Sequence, residues 1–268
     1  MKNNLSGQFD RIPNHKSVQF ILLHFIQPYE EKPFAEFLKW LTSVYDVVSY
    51  GEAIRRINSG TVERATAAIS FDDGLKDNLV ASRIMLEHGV KGCFFVVPDI
   101  IGETDQTKLK QFCEQRLLYA HTDSFMNWDE IESLKDAGHE IGNHTKSHLY
   151  LMDLSENEFL SQVGQGRDEI KSKLGSVEHF SWPYGRFWHF KRHWVDKIFE
   201  MGHTSCASAE RGSHLSACDT DIESKINFCL LRDSLEMNWP LSHCKYFLAN
   251  STCDGKSPQA VWPVTEKI

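Results

Sequence analysis

The chain lacks most of the features that would place it outside the cell, in a membrane or on nucleic acid. Its first residues, Met1-Lys2-Asn3-Asn4-Leu5-Ser6-Gly7-Gln8, hold no apolar run of the kind a secretory leader needs. The longest early apolar run, from Val18 to Ile26, is interrupted by Gln19 and His24. It is too short to cross a bilayer and reads as a buried strand. These absences lead us to expect a cytoplasmic chain with no transmembrane segment. Paired cysteines are also missing: the seven thiols at 93, 113, 206, 218, 229, 244 and 253 form no CxxC. An odd, scattered set reads as reduced packing residues and excludes a zinc ribbon. Basic excess is absent too, because the formal net charge is −8 over 268 residues. That excludes a general nucleic-acid binder, which needs a basic stripe. No repeat, low-complexity stretch or linker divides the chain. The expectation is one domain over 1–268, with a core at about 18–232 and a loosely attached tail at 249–268.

Short apolar runs alternate with amphipathic segments. Strands are expected at Val18–Ile26, Ala67–Phe71, Cys93–Val97, His139–Asn143, Phe180–Tyr184, Thr204–Ala207 and Phe228–Leu231. Helices are expected at Phe34–Leu41, Tyr50–Ile57, Asp77–His88, Trp128–Ala137, Ser155–Lys173 and His193–Met201. Ser155 with Glu158 three residues on is a capping-box pattern. The polar stretch 100–127 reads as a surface excursion. Strand–helix alternation predicts an α/β fold with a parallel sheet or barrel. Residues able to do chemistry fall at the C-terminal ends of the expected strands, the face where such folds gather their sites.

Asp72 and Asp73 end the run Ala67–Phe71, and His144 and His148 follow Asn143 four residues apart. Adjacent carboxylates repel unless a cation or a proton separates their tasks. If 145–147 turn helically, both imidazoles share a face. One carboxylate and two imidazoles hold a divalent metal with positions left open, and a second carboxylate beside them serves as base. Mixed nitrogen and oxygen ligation suits zinc, with cobalt, nickel, iron and manganese as alternatives. Trp182 and Tyr184, in Phe180-Ser181-Trp182-Pro183-Tyr184-Gly185, offer flat faces for a sugar ring. Singly, each piece has a plainer reading: an Asp-Gly turn that caps a helix, two surface histidines, a packed aromatic corner.

Together the pieces resemble the polysaccharide deacetylases, the NodB-homology domain of the carbohydrate esterases. Ser70-Phe71-Asp72-Asp73-Gly74 is similar to that family's first motif, and His144-Thr145-Lys146-Ser147-His148 to its second. Phe180–Gly185 is similar to its third, and Ile21-Leu22-Leu23-His24 to its opening strand. The resemblance spans roughly Val18 to Arg232. It implies a distorted (β/α)7 barrel that hydrolyses the N-acetyl group of an amino sugar. Asp73, His144 and His148 would hold the metal, Asp72 would be the base, and the Tyr184 backbone N–H would steady the oxyanion. Trp182, Tyr184, His24 and Arg232 are candidate substrate-binding residues. With no leader seen, the expected substrate is an N-acetylated intermediate of surface-polysaccharide synthesis.

Two features depart from the family pattern. Ser181 stands where many members have an Arg that orients the base, and Arg232 is the candidate replacement. The closing Leu-x-x-His is missing: Leu241-Ser242-His243 is one residue short, and His24, His203 and His214 are the other histidines in view. The catalytic acid is therefore unassigned. Hydrolysis of a formamide or ring amide at the same site, or a silent glycan- or partner-binding barrel, are the competing readings.

Overall fold

A computed structural model describes residues 12–215, 229–256 and Trp262. Ten strands form one sheet: β1 (Ser17–Leu23), β2 (Asp46–Val47), β3 (Thr66–Phe71), β4 (Gly92–Val96), β5 (Glu140–Asn143), β6 (His179–Ser181), β7 (Ser205–Ala207), β8 (Ser213–Leu215), β9 (Cys229–Leu230) and β10 (Asp233–Ser234). The path runs β10-β1-β3-β4-β5-β6-β7-β9, all parallel. β9 and β10 belong to one stretch of chain, broken only by Leu231 and Arg232. Its first half pairs with β7 and its second with β1, so a single segment draws the two edges together into a nearly closed, seven-stranded (β/α) barrel. β2 lies beside the start of β3, and β8 runs antiparallel to β1.

The eight helices described are α1 (Glu31–Val44), α2 (Tyr50–Asn58), α3 (Asn78–Glu87), α4 (Gln106–Phe112), α5 (Trp128–Asp136), α6 (Glu156–Leu174), α7 (Trp194–Glu200) and α8 (Leu241–Cys253). α6 starts as the sequence pattern requires: the Ser155 side chain accepts from the Glu158 N–H, and Glu158 reaches back to Ser155. None of the described helices is long and apolar enough to cross a membrane.

Strand alternation sorts the core into two layers. Ile21, Leu23, Ile69, Phe71, Phe94 and Val96 face outward, beneath the helices. Val18, Phe20, Ala68, Cys93 and Phe95 share a cluster with Tyr50, Ala53, Ile54 and Ile57 of α2. Tyr50 packs its ring on Phe20 and Phe95. The inner face of β3 therefore reads Ala68, Ser70 and, one step past the strand, Asp72.

Two expectations need correction. The tail was placed at 249–268, yet 249–253 belong to α8, whose Cys244, Leu248, Ala249, Ser251 and Thr252 are buried. The helix escapes notice because its buried face is partly polar. Ser251 Oγ donates to Asp233 at 2.9 Å, and the Thr252 hydroxyl meets the Tyr45 hydroxyl at 2.8 Å. Nor is 100–127 merely a surface excursion. Leu109, Cys113, Leu117 and Phe125 form an apolar cluster with Leu75, Val97 and Ile100.

Candidate active site

The first motif leaves β3 at the barrel's C-terminal mouth. The Asp72 N–H still bonds to the Leu23 carbonyl at 3.0 Å, and the chain then turns sharply. Asp73 and Gly74 both take positive φ, 74° each. This bend sends Asp72 down the barrel interior and Asp73 into the mouth, which resolves how neighbours on a strand can serve one pocket. The second motif follows β5, where the His144 N–H bonds to the Val96 carbonyl at 3.0 Å. The expected helical turn at 145–147 is not there. Thr145 and His148 have φ of 67° and 52°, and the imidazoles converge through a strained loop instead. That loop is pinned from outside: Lys146 Nζ lies 2.5 Å from Glu169 and 2.9 Å from Asp99. Tyr184 also has positive φ, 63°. Four of the five described non-glycine residues with positive φ are thus motif residues, and strained backbone of this kind persists at functional sites. Gly185 follows at φ 65°, where a Cβ would lie 2.7 Å from the Ala209 backbone nitrogen.

Asp73, His144 and His148 are buried and present ligating atoms within 4.8 Å of one another. His144 Nε2 is 3.5 Å from Asp73 Oδ1, and His148 Nε2 is 3.4 Å from the same oxygen. The other ring nitrogens are already used. His144 Nδ1 lies 2.9 Å from the Ser181 carbonyl, and His148 Nδ1 lies 2.8 Å from the Arg116 carbonyl. A carbonyl only accepts, so each Nδ1 carries a proton, and each Nε2 points toward Asp73. This donor set fits a divalent cation, and mixed imidazole and carboxylate ligation agrees with zinc among others. Burial pulls His144 down, but the charges of Asp72 and Asp73 outweigh it and hold the ring above its ordinary range. Burial would raise Asp73, and the two imidazoles hold it well below the usual carboxylate range. The pocket is built to receive positive charge.

Asp72 has a different partner. Arg232, fully buried, grips it with two parallel bonds: Nη1 to Oδ1 and Nη2 to Oδ2, each 2.8 Å. Its Nε donates to the Ser208 carbonyl at 2.6 Å, and Nη1 also reaches Ser70 Oγ at 3.2 Å. Burial acts to raise Asp72, yet the guanidinium, together with His144, holds it below its ordinary value. Arg232 thus meets Asp72 from a strand end other than that of Ser181, the position where the family resemblance places an arginine. It orients Asp72 and offers nothing to a substrate, which corrects its expected place among the substrate-binding residues. Ser181, in the arginine's usual position, supports His144 instead.

Trp182 needs the same correction. Its ring is buried and stacked on Phe190 at 4.4 Å, and its Nε1 donates to the Arg186 carbonyl. It braces the third motif from beneath and presents no face to a sugar. Tyr184 is half-buried beside His148, with ring centroids 5.0 Å apart. His24 follows β1 at the mouth, close enough that its charge would lower both aspartates. His203 and His214 are buried, with burial pulling both rings down to about 4. His203 is held by Asn143 and the Ile198 carbonyl, and His214 accepts the Leu231 N–H. His243 is exposed on α8.

Sequence reasoning missed the contribution of the stretch after α4. The Tyr119 hydroxyl donates to Asp73 Oδ2 at 3.0 Å. The Arg116 carbonyl accepts from both His148 Nδ1 and the Tyr184 hydroxyl, the latter at 2.7 Å. Cys113–Leu117 form one π-helical turn, a local widening frequent at functional sites. A backbone carbonyl leaves no mark in a sequence, and only Tyr119 itself could have been suspected.

The family model described as polysaccharide deacetylase matches residues 59–204, more than half of the chain, a span that includes Asp72, Asp73, His144 and His148. The chain belongs to the polysaccharide deacetylase family. A curated relative, the peptidoglycan-N-acetylglucosamine deacetylase of Bacillus cereus, is 27% identical over 141 residues. That match covers 51% of this chain and 42% of the relative, so the chain aligns with less than half of the relative's length. Among solved structures, the Streptococcus pyogenes deacetylase PplD in complex with acetate superposes with TM-score 0.65 at 14% identity, covering 87% of this chain and 98% of that one. IcaB from Ammonifex degensii gives TM-score 0.65 at 19% identity, covering 88% and 98%. At these identities the likeness concerns the fold, and it agrees with the barrel described above.

Proposed function

We propose that this chain is a metal-dependent N-deacetylase of an N-acetylated amino sugar. The observation that carries the reading is the division of labour between the two aspartates. Asp73 lies within 3.5 Å of both imidazole Nε2 atoms, while Asp72, the residue before it, reaches only His144, at 3.8 Å, and is clamped by Arg232. A binding module has no use for a second carboxylate held ionised beside a metal site.

A divalent cation held by Asp73, His144 and His148, zinc before cobalt, nickel, iron or manganese, would supply a Lewis acid and an activated water. The protein's own groups do the rest. Asp72, kept ionised by Arg232, takes the proton of the attacking water. The Tyr184 N–H points its dipole at the oxyanion that forms on the acetyl carbonyl. The C–N bond then breaks, acetate leaves, and the amine takes up a proton. His24 is our candidate donor, because it follows β1 at the mouth and its charge acts on both aspartates. Within this reading we retain an intermediate of surface-polysaccharide synthesis as one substrate and a polymeric glycan as the other.

The test is acetate release. Zinc- or cobalt-loaded protein is incubated with N-acetylglucosamine oligomers and with nucleotide- and lipid-linked N-acetyl sugars. Metal-dependent acetate supports the proposal. Formate or ammonia from other amides, with no acetate from any sugar, would replace it with a different amide hydrolase. Failure to retain a metal together with no hydrolysis would make the barrel a binding module.

A further inference from the structure

The loop after the third motif holds a feature that the chemistry above does not use. In Phe187-Trp188-His189-Phe190 the flanking phenylalanines turn inward. Phe190 stacks on Trp182 at 4.4 Å, and Phe187 meets Trp262 at 4.5 Å. Trp188 between them stays 63% exposed. The loop does not leave it outside through slackness. Tyr150 donates its hydroxyl to the Trp188 carbonyl at 3.3 Å, Arg186 pairs with Glu210 at 3.2 Å, and the Phe187 N–H bonds to Glu210. A large indole held in water on an anchored loop is apolar surface without a partner.

Its position gives that surface a direction. From the metal-ligand candidate His148, ring contacts lead outward: to Tyr184 at 5.0 Å, on to His189 at 5.7 Å, and to Trp188 at 5.5 Å. Tyr150, 37% exposed, lies alongside this line, touching Tyr184 at 5.9 Å and His189 at 5.2 Å. The opposite bank carries Leu118, 69% exposed, two residues after the Arg116 carbonyl that receives the Tyr184 hydroxyl. Three of the seven large apolar side chains exposed among the described residues therefore stand on the three loops that gather around Tyr184. Scattered exposed apolar residues are ordinary, whereas a set rimming one mouth marks a binding surface.

We propose that Tyr150 and Trp188 form an outer sugar subsite, so that the enzyme takes an extended N-acetylated glycan and a neighbouring sugar ring lies on the indole. The ring chain supplies apolar faces with polar edges, the chemistry that matches a pyranose, and Arg186 at its start is paired with Glu210. This inference rests on the deacetylase reading of the metal site.

The experiment compares β-1,4-linked N-acetylglucosamine tetramer with the monosaccharide. Acetate release is measured for zinc-loaded wild type, Trp188→Ala and Trp188→Phe. Binding of the same two sugars is measured by calorimetry on Asp72→Asn chains with and without Trp188→Ala. We expect Trp188→Ala to raise KM for the tetramer about 10-fold, the equivalent of one lost apolar contact. Its kcat should be unchanged, the monosaccharide unaffected, and Trp188→Phe should restore most of the loss. Equal effects on both sugars, or none on either, would overturn the subsite. The two readings fail separately. A Trp188-dependent length preference in binding without acetate release would leave the subsite standing and remove the deacetylase. Acetate release without that preference would do the reverse.

Discussion

The two ends of the barrel both bury histidines, and they put them to opposite uses. At the N-terminal rim, His139 bonds through Nε2 to the Ser82 hydroxyl at 2.9 Å and accepts the Gly92 N–H on Nδ1 at 3.0 Å. His179 nearby meets the Ser205 hydroxyl at 3.1 Å. Burial depresses these rings to about 4 and about 3, with the Lys91 charge adding to it at His139, so both sit neutral. At the C-terminal mouth, His144 and His148 are equally buried, yet each gives Nδ1–H to a carbonyl and turns Nε2 toward a carboxylate. Burial alone therefore does not make a ligand. What distinguishes the mouth is a pair of ring nitrogens aimed at one carboxylate, on a loop strained enough to hold them there.

The sharpest way to break this contrast is at the base. Asp72→Asn should lower kcat by roughly 10²–10⁴-fold while the metal stays bound. Acetate release and metal content are measured together, and near-normal turnover would remove Asp72 from its role. Next comes its clamp. Arg232→Met leaves a carboxylate buried without its partner, which should cost about 3–5 kcal/mol in urea unfolding. Adding Asp72→Asn to that variant should recover part of the loss, because the charge that needed pairing is gone.

A smaller effect should follow from Tyr119→Phe, which removes the hydroxyl held against Asp73 but not the ring. Such outer supports to ligands are worth about 10–100-fold in metal affinity, so zinc should bind that much more weakly with thermal stability little changed. Unaltered zinc affinity would reduce Tyr119 to packing. The smallest effect is expected at the other rim. His139→Gln should cost about 1–3 kcal/mol of stability and leave metal binding alone. It should also alter the pH dependence. His139 has a folded pKa of about 4 against an ordinary 6.5, so the unfolded chain binds its proton first as pH falls. Its contribution is complete above 6.5 and is lost as pH drops toward 4. In His139→Gln the fall in stability across that window should be shallower.

The parts of this account visible in the sequence are those written contiguously. Asp72–Gly74, His144–His148 and Trp182–Gly185 each sit on one strand end, so hydrophobic period and spacing locate them. Arg232 was visible only as a candidate, since nothing local says that its guanidinium points inward to Asp72 rather than out to water. Trp182 was misplaced for the converse reason: an aromatic at a strand end reads alike whether it lines the mouth or braces it. Tyr119 and the Arg116 carbonyl were out of reach, because their contacts depend on a π-helical turn and on backbone atoms common to every residue. α8 is absent from the expected helices altogether, because Ser251 and Thr252 bury hydroxyls where a helix pattern leads one to look for methyls.

The central claim is that adjacent aspartates hold separate offices, one on the metal and one on the proton. Anomalous diffraction from crystals grown with zinc tests it most directly. The account predicts one zinc with Asp73, His144 and His148 at about 2.0–2.2 Å, and Asp72 outside the ligand set with its bidentate bond to Arg232 intact. A zinc ligated by Asp72, or one bound elsewhere while these three residues stay bare, would contradict it.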